Sequence, residues 1–191
     1  MKIDINIPNG NSGNWTVEDF EITEDDAKLY NIRASFHMGS RYVKPGKFKR
    51  LMRNGTAIMS NTPAEIEDHH EFIREAKKGG DILINGLGLG VALTEILKSD
   101  LVTSVTVIEK SSDVISLVAE YYNKDKRVNI INADAFEWKP PKGKRYNAVW
   151  HDIWDNICGD NLTEMTKLHR KYGRRTDWQG SWCRALCWRY K

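Results

Sequence analysis

The sequence predicts an α/β fold with a doubly wound, mostly parallel sheet, and three observations support this fold class. From Asp81 onward, short apolar runs alternate with segments of helical periodicity, which is the order that βαβ units produce. The first apolar run leads directly into Gly86-Leu87-Gly88-Leu89-Gly90, and a helical pattern follows at once. Two acidic residues, Glu109 and Asp134, stand at or just beyond the ends of the next two predicted strands. These features predict a ligand crevice at the carboxyl edge of the sheet.

The alternation defines the elements of the second part of the chain. Short apolar runs bounded by turn residues are typical of buried strands, and runs with a 3.6-residue period are typical of helices. The predicted strands cover 81–85, 105–109, 128–132 and 146–151, and the predicted helices cover 90–98, 113–122 and about 160–171. Beyond these, residues 182–190 are predicted to supply an edge strand or a short helix, and no other strand is predicted after 151.

The first part of the chain predicts a small appendage of strand, helix and hairpin. Thr23 precedes three acidic residues, which is the pattern of a helix N-cap, so a helix is predicted to follow a strand at 15–22. Asn54-Gly55 predicts a tight hairpin turn between strands at 47–52 and 56–60.

A second helix start follows the hairpin. Thr62-Pro63-Ala64-Glu65 combines an N-cap, a proline at the first helical position and a capping-box glutamate, so a helix is predicted up to about residue 78. The predicted domain organisation is an N-terminal appendage over 1–62, a cofactor-binding domain over 63–160, and a C-terminal helix with a basic aromatic tail over 161–191.

Composition indicates a globular, cytoplasmic protein. The chain has 191 residues, of which 40% are hydrophobic and 29% charged, which is unlike a disordered chain. No apolar run reaches the ~18–20 residues needed to span a bilayer, so no membrane association is predicted. Three cysteines, an odd number, argue against a disulfide framework and for a reducing compartment.

The net charge of +3 is distributed unevenly along the chain. Residues 163–191 hold eight Lys or Arg and two Asp or Glu, a net charge of +6, and they are also rich in Trp and Tyr. Basic residues interleaved with aromatics can bind phosphates and stack on bases, so nucleic acid is one predicted partner of this tail. The alternative, which we favour, is a solvated segment held to the body by its tryptophans.

The glycine turn predicts a site for a nucleotide-like cofactor. Glycines at a strand-to-helix turn permit positive φ and let a ligand approach the bare backbone. A dinucleotide fingerprint would require glycine at the position of Val91, so the turn departs from that motif. Glu109 can accept hydrogen bonds from both ribose hydroxyls of an adenosine, and Asp134 can accept from an adenine amino group.

At these residues the chain resembles the class I, Rossmann-like S-adenosylmethionine-dependent methyltransferase superfamily. The resemblance covers about residues 47–157 and implies a methyltransferase-type sheet with a shortened C-terminal end. It implies S-adenosylmethionine, or its decarboxylated form, as cofactor. The cofactor-binding residues that it implies are Gly86, Leu87, Gly88, Gly90, Glu109, Lys110, Asp134 and Ala135.

Within the superfamily the chain is most similar to the spermidine synthase branch of polyamine synthases. Leu51-Met52-Arg53-Asn54-Gly55 resembles the hairpin turn of that branch, and His69-His70-Glu71 resembles its Tyr-His-Glu motif, with His69 in place of Tyr. The resemblance therefore implies His69 and His70 as substrate-binding residues. Leu89 replaces an acid of the branch, so the contact of that acid with an amino group of the ligand is not expected here.

The fourth predicted strand ends in His151-Asp152-Ile153-Trp154-Asp155, where polyamine synthases carry Asp-x-x-Asp. The resemblance implies Asp152 and Asp155 as catalytic residues. A carboxylate facing a sulfonium centre can orient and deprotonate an attacking amine, and a pair of carboxylates can hold a cationic substrate. Trp154 is predicted to line the substrate pocket.

No metal site is predicted. Adjacent histidines on one helix point about 100° apart, so His69 and His70 cannot easily share an ion. Cys183 and Cys187 are four residues apart and lack the Cys-x-x-Cys spacing of a zinc site.

The sequence is compatible with four functions. The first is a small methyltransferase with Asp152 as orienting group or base, with aminopropyl transfer to a polyamine as its variant. The others are a non-catalytic S-adenosylmethionine- or nucleoside-binding protein, a protein that associates with nucleic acid, and an NAD-linked oxidoreductase, which Val91 disfavours. The predicted partner is a small-molecule or polyamine acceptor, and a homo-oligomer is left open.

Overall fold

A computed structural model describes residues 3–36 and 42–191, which form two sheets. The first sheet is antiparallel, with the strand order β1-β2-β3-β4. Its strands are β1 (Gly10–Ser12), β2 (Trp15–Ile22), β3 (Gly46–Arg53) and β4 (Thr56–Ser60). Helix α1 (Glu24–Ser35) connects β2 to β3. The side chain of Thr23 caps α1 by accepting the N–H of Asp26, and Asn54-Gly55 turns the β3–β4 hairpin, so both predictions are confirmed.

The second sheet has five parallel strands in the order β7-β6-β5-β8-β9. They are β5 (Gly80–Asn85), β6 (Val102–Glu109), β7 (Val128–Asn132), β8 (Tyr146–His151) and β9 (Thr176–Ser181). The chain winds outward from β5 to β7 in one direction and then returns to place β8 and β9 on the other side. This is the doubly wound α/β fold that the sequence predicts, and its crevice lies where the winding reverses, between β5 and β8.

In the part of the chain that the structure describes, six helices and one 3₁₀ turn follow the hairpin. They are α2 (Pro63–Asp68), α3 (His70–Ala76), α4 (Val91–Ile96), α5 (Ser112–Tyr122), α6 (Asn161–Tyr172), α7 (Arg184–Cys187) and a 3₁₀ turn (Trp188–Tyr190). Of these, α3, α5 and α6 contact strands of the parallel sheet. None of the helices in the described ranges is long and apolar enough to cross a membrane.

Gly86 lets the two strands at the reversal point approach each other closely. Its φ is +100°, and a Cβ atom at this position would lie 1.8 Å from the carbonyl oxygen of Asp152. The N–H of Asp152 donates to the carbonyl of Asn85 at 2.8 Å, so the turn after β5 and the turn after β8 are held side by side. Only glycine fits this position, because it has no Cβ atom and adopts positive φ readily.

The prediction of one helix from Thr62 to about residue 78 is wrong, because the helix breaks at His69. His69 ends α2 and precedes α3 with φ −93° and ψ −3°. The break turns the imidazole into the core, where it meets the Trp150 ring edge-on at 5.9 Å between centroids. The predicted capping box is also absent: Thr62 makes no side-chain cap, and the Glu65 carboxylate accepts the N–H of Ser60 instead.

Strand β9 was not predicted from the sequence. The segment Thr176–Ser181 contains Asp and Gly, which are depleted in strands, and so it carries no strand pattern. It pairs in parallel with β8, and its Trp178 ring stacks on Trp150 at 6.3 Å between centroids. A fifth strand therefore extends the sheet, whereas residues 184–187 form the predicted short helix.

Candidate active site

A cavity of about 540 Å³ opens at the carboxyl edge of the parallel sheet. It brings together residues that follow β5, β6, β7 and β8, as expected for strands of one parallel sheet. The predicted residues that line it are His69, Gly86, Gly88, Glu109, Lys110, Asp134, Ala135, Asp152, Trp154 and Asp155. Leu87 and Gly90 line a smaller adjoining cleft instead. His70 is exposed and lines neither space, so the structure places it outside the candidate site.

Glu109 connects the glycine turn to the end of β6. One carboxylate oxygen accepts the N–H of Leu87 at 2.8 Å, and the other accepts the N–H of Ser111 at 2.8 Å. A carboxylate offers about four acceptor positions, so it can still accept from two hydroxyl groups in the cavity. The two backbone N–H groups thus fix the orientation of the Glu109 carboxylate, which can still accept hydrogen bonds from a diol.

Asp134 lies on the same side of the cavity. Its carboxylate accepts the N–H of Phe136 at 2.7 Å and pairs with the ammonium of Lys110 at 2.8 Å. The hydrogen bond from Lys110, followed by that from Phe136, lowers the pKa of Asp134 below its usual range, so it is ionised at neutral pH. The Lys171 ammonium donates to the carbonyl of Ala135 at 2.8 Å and supports this loop from behind.

The β3–β4 hairpin forms one wall of the cavity and supplies lining residues that were not predicted from the sequence. Met59 Sδ accepts the N–H of Leu89 at 3.3 Å, and a Cβ atom on Gly88 would lie 2.5 Å from the same sulfur. Arg53 of the hairpin also lines the cavity, as do Glu65 of α2 and Trp182 beyond β9. These residues come from separate elements, and nothing in their spacing along the chain signals that they meet.

Asp152 is held as a carboxylic acid in the described structure. Its side chain is 14% exposed, and burial raises its pKa to about 8, with the negative charges of Glu65, Asp68 and Glu109 adding to the effect. His69 Nδ1 lies 3.8 Å from the Asp152 carboxyl group. Burial lowers the pKa of His69 to about 4, so this contact joins two neutral groups at pH 7 and is not an ion pair.

The raised pKa predicts how Asp152 affects stability. The pKa of Asp152 is higher in the folded state than in the unfolded chain, so its stabilising contribution is fully present below pH 3.8 and is lost progressively as pH rises to about 8. Asn cannot ionise, so the variant Asp152→Asn does not lose this contribution. The unfolding free energy of the variant minus that of the unmodified protein should therefore be about 2–4 kcal/mol larger at pH 8 than at pH 5. Urea unfolding of both proteins at the two pH values measures this difference.

A matched control for that comparison is Asp155→Asn on the same turn. It removes an ion pair with Arg53 and is expected to lower stability at both pH values. Equal effects of Asp152→Asn at pH 5 and pH 8 would contradict the assignment of Asp152 as a buried acid.

Asp155 differs from Asp152 in its environment. It is about two-fifths exposed and forms an ion pair with Arg53, whose guanidinium lies over the Trp15 ring, 5.3 Å from its centroid. The neighbouring Trp154 indole donates to the Glu164 carboxylate at 2.8 Å. The two carboxyl groups of the Asp-x-x-Asp motif both face the cavity, but one is a buried acid and the other is paired with a cation.

The comparisons with known proteins agree with this geometry. The N-methyltransferase NodS from Bradyrhizobium japonicum superposes with a TM-score of 0.51 at 15% identity, covering 67% of this chain and 74% of that one. The chain has the class I methyltransferase fold. No protein-family model matches the sequence.

Sequence relatives of the methyltransferase-fold chain are polyamine aminopropyltransferases. It is 32% identical over 117 residues to polyamine aminopropyltransferase 1 of Streptomyces coelicolor, covering 56% of this chain and 22% of that protein. It is also 32% identical over 83 residues to the polyamine aminopropyltransferase of Leptospira interrogans, covering 39% of this chain and 17% of that protein. The chain thus spans about a fifth of the length of the curated relatives that it matches. The predicted resemblance to both groups is confirmed.

Proposed function

We propose that this protein is an S-adenosylmethionine-dependent methyltransferase. The observation that carries the proposal is the arrangement of Glu109, Asp134 and Asp152 around one cavity at the reversal point of the sheet. The first two accept hydrogen bonds from backbone N–H groups, which fix their orientation, and the third is a buried carboxyl group beyond the glycine turn. The methyltransferase fold and the transferase relatives support the same reaction class.

The residues present fit an adenosyl cofactor. Gly86 and Gly88 of the glycine turn line the cavity, so no side chain of these two residues stands between the backbone and a ligand. Glu109 retains acceptor positions for a ribose diol, and Asp134 retains one for an adenine amino group. The apolar residues Ile108 and Phe136 also line the cavity, which suits a purine ring.

Asp152 and His69 suit the acceptor end of the cavity. S-adenosylmethionine, when bound, supplies a methyl group that the sulfonium has already activated, so the protein mainly positions the reactants and excludes water. Asp152 can hold the N–H or O–H of an acceptor and take its proton at the carboxylate oxygen. His69, neutral and buried beside it, offers a ring nitrogen for orienting the same group.

Aminopropyl transfer from decarboxylated S-adenosylmethionine is the second candidate, and the identity to polyamine aminopropyltransferases favours it. Two features of the structure favour methyl transfer instead. Asp155, which would hold a cationic polyamine, is already paired with Arg53. Leu89 is fully buried where that branch has an acid.

Calorimetric titration of the whole chain tests the proposal. We expect S-adenosylmethionine and S-adenosylhomocysteine to bind at least about tenfold more tightly than NAD, a difference of about 1.4 kcal/mol, because the glycine turn and Glu109 fit one adenosyl group and no dinucleotide motif is present. Tighter binding of decarboxylated S-adenosylmethionine than of S-adenosylmethionine would favour aminopropyl transfer. Failure of all three adenosyl compounds to bind would overturn the proposal.

A further inference from the structure

The carboxyl group of Asp152 lies in a strongly acidic environment. Three carboxylates act on it from two directions: Glu65 and Asp68 on α2, and Glu109 at the end of β6. The fourth titratable group that faces it is His69, at the junction of α2 and α3, whose ring is neutral. Burial and three negative charges oppose ionisation, so Asp152 keeps its proton.

The cations that line the same cavity are already occupied. Lys110 pairs with Asp134 at 2.8 Å, and Arg53 pairs with Asp155 on the turn after β8. Within residues 3–36 and 42–191, no Lys or Arg forms an ion pair with Asp152. The cavity thus lacks one positive charge at the position of Asp152, and a cationic ligand can supply it.

The His69 ring is the second observation that points to a ligand. It is 1% exposed, it lines the cavity, and neither ring nitrogen has a hydrogen-bond partner within the described part of the chain. A buried polar group without a partner is costly, so the ring is suited to a polar group that enters the cavity.

We infer that Asp152 senses the charge of the cofactor: a cationic sulfonium in the cavity drives the proton off Asp152, and the neutral thioether product does not. This inference rests on the proposed function. An opposite charge beside a carboxyl group lowers its pKa by about 1–3, which is enough to turn an acid with a pKa of about 8 into a carboxylate at pH 7. The carboxylate is the form that accepts a proton from an acceptor N–H or O–H, so most of the base is generated when the cationic cofactor is in place.

The test is calorimetric binding of S-adenosylmethionine and S-adenosylhomocysteine near pH 7 in buffers of different ionisation enthalpy. The dependence of the binding enthalpy on the buffer gives the number of protons released. The two ligands share the adenosine and the amino acid group, so the difference in the number of protons they release reports the effect of the sulfonium charge. We expect S-adenosylmethionine to release up to about one proton more than S-adenosylhomocysteine, and its affinity to rise by up to tenfold per pH unit between about pH 6 and 8.

Asp152→Asn is the decisive variant because it removes the ionisable carboxyl group and keeps a polar side chain at the same position. In this variant we expect both ligands to release equal numbers of protons, and the extra pH dependence of S-adenosylmethionine binding to disappear. Glu120→Gln, at an exposed position of α5 that does not line the cavity, serves as the control and should keep the difference seen in the unmodified protein.

The outcomes separate this inference from the proposed function. Binding of both ligands with equal proton release in the unmodified protein would overturn the charge-sensing role and leave the methyltransferase proposal standing. A proton difference that survives in Asp152→Asn would assign the effect to another group and overturn the role of Asp152. Absence of binding by either ligand would overturn the proposed function itself.

Discussion

Replacement of Gly86 by alanine is expected to lower the unfolding free energy by at least about 3 kcal/mol and to abolish cofactor binding. Two separate costs add. A φ of +100° is strained for any residue with a Cβ atom, and that atom would lie 1.8 Å from the carbonyl oxygen of Asp152. The overlap is with backbone, so no side-chain rotation relieves it, and the turns after β5 and β8 must separate. Urea unfolding and titration with S-adenosylmethionine measure the two effects.

Gly143→Ala is the matched control, because it isolates the conformational cost from the overlap. Gly143 also has positive φ, at +80°, but a Cβ atom there would meet no atom within 4 Å. We expect this variant to lose about 1–2 kcal/mol and to bind the cofactor normally. Equal losses in the two variants would show that close approach of the two turns is not required.

Replacement of Glu109 by glutamine is expected to weaken S-adenosylmethionine binding by about 10²–10³-fold. The carboxylate of Glu109 accepts the N–H groups of Leu87 and Ser111, and it is the acceptor assigned to the ribose diol. An amide keeps one acceptor oxygen and turns the other into a donor, which faces either a backbone N–H or a hydroxyl that should donate. Calorimetry measures the loss of affinity, and urea unfolding measures the accompanying loss of stability.

Glu120→Gln is the corresponding control on α5. Glu120 is exposed and does not line the cavity, but its replacement changes the net charge of the protein by the same amount. We expect S-adenosylmethionine to bind this variant as tightly as the unmodified protein. Comparable weakening in both variants would mean that general electrostatic attraction, rather than a specific contact at Glu109, holds the cofactor.

The order of strands and helices could be predicted because its causes are local. The apolar runs of β5 to β8 are visible in the sequence, as are the N-cap at Thr23 and the Asn-Gly turn of the hairpin. β9 could not be predicted, because the residues of Thr176–Ser181 favour a strand only once β8 offers a pairing edge and Trp150 offers a stacking partner for Trp178. The break at His69 was missed for a related reason, since the tertiary contact with Trp150 overrides a continuous helical pattern.

The sequence by itself determined which chemical groups stand at the carboxyl ends of the strands. A glycine turn, Glu109, Asp134 and Asp152 each follow an apolar run, and parallel strands bring their carboxyl ends to one edge. Only the tertiary structure decided the state of the two motif carboxyl groups. Asp152 and Asp155 are three residues apart, yet one is a buried acid beside Glu65 and His69, and the other is neutralised by Arg53. Protonation depends on burial and on neighbouring charges, and those neighbours come from distant parts of the chain.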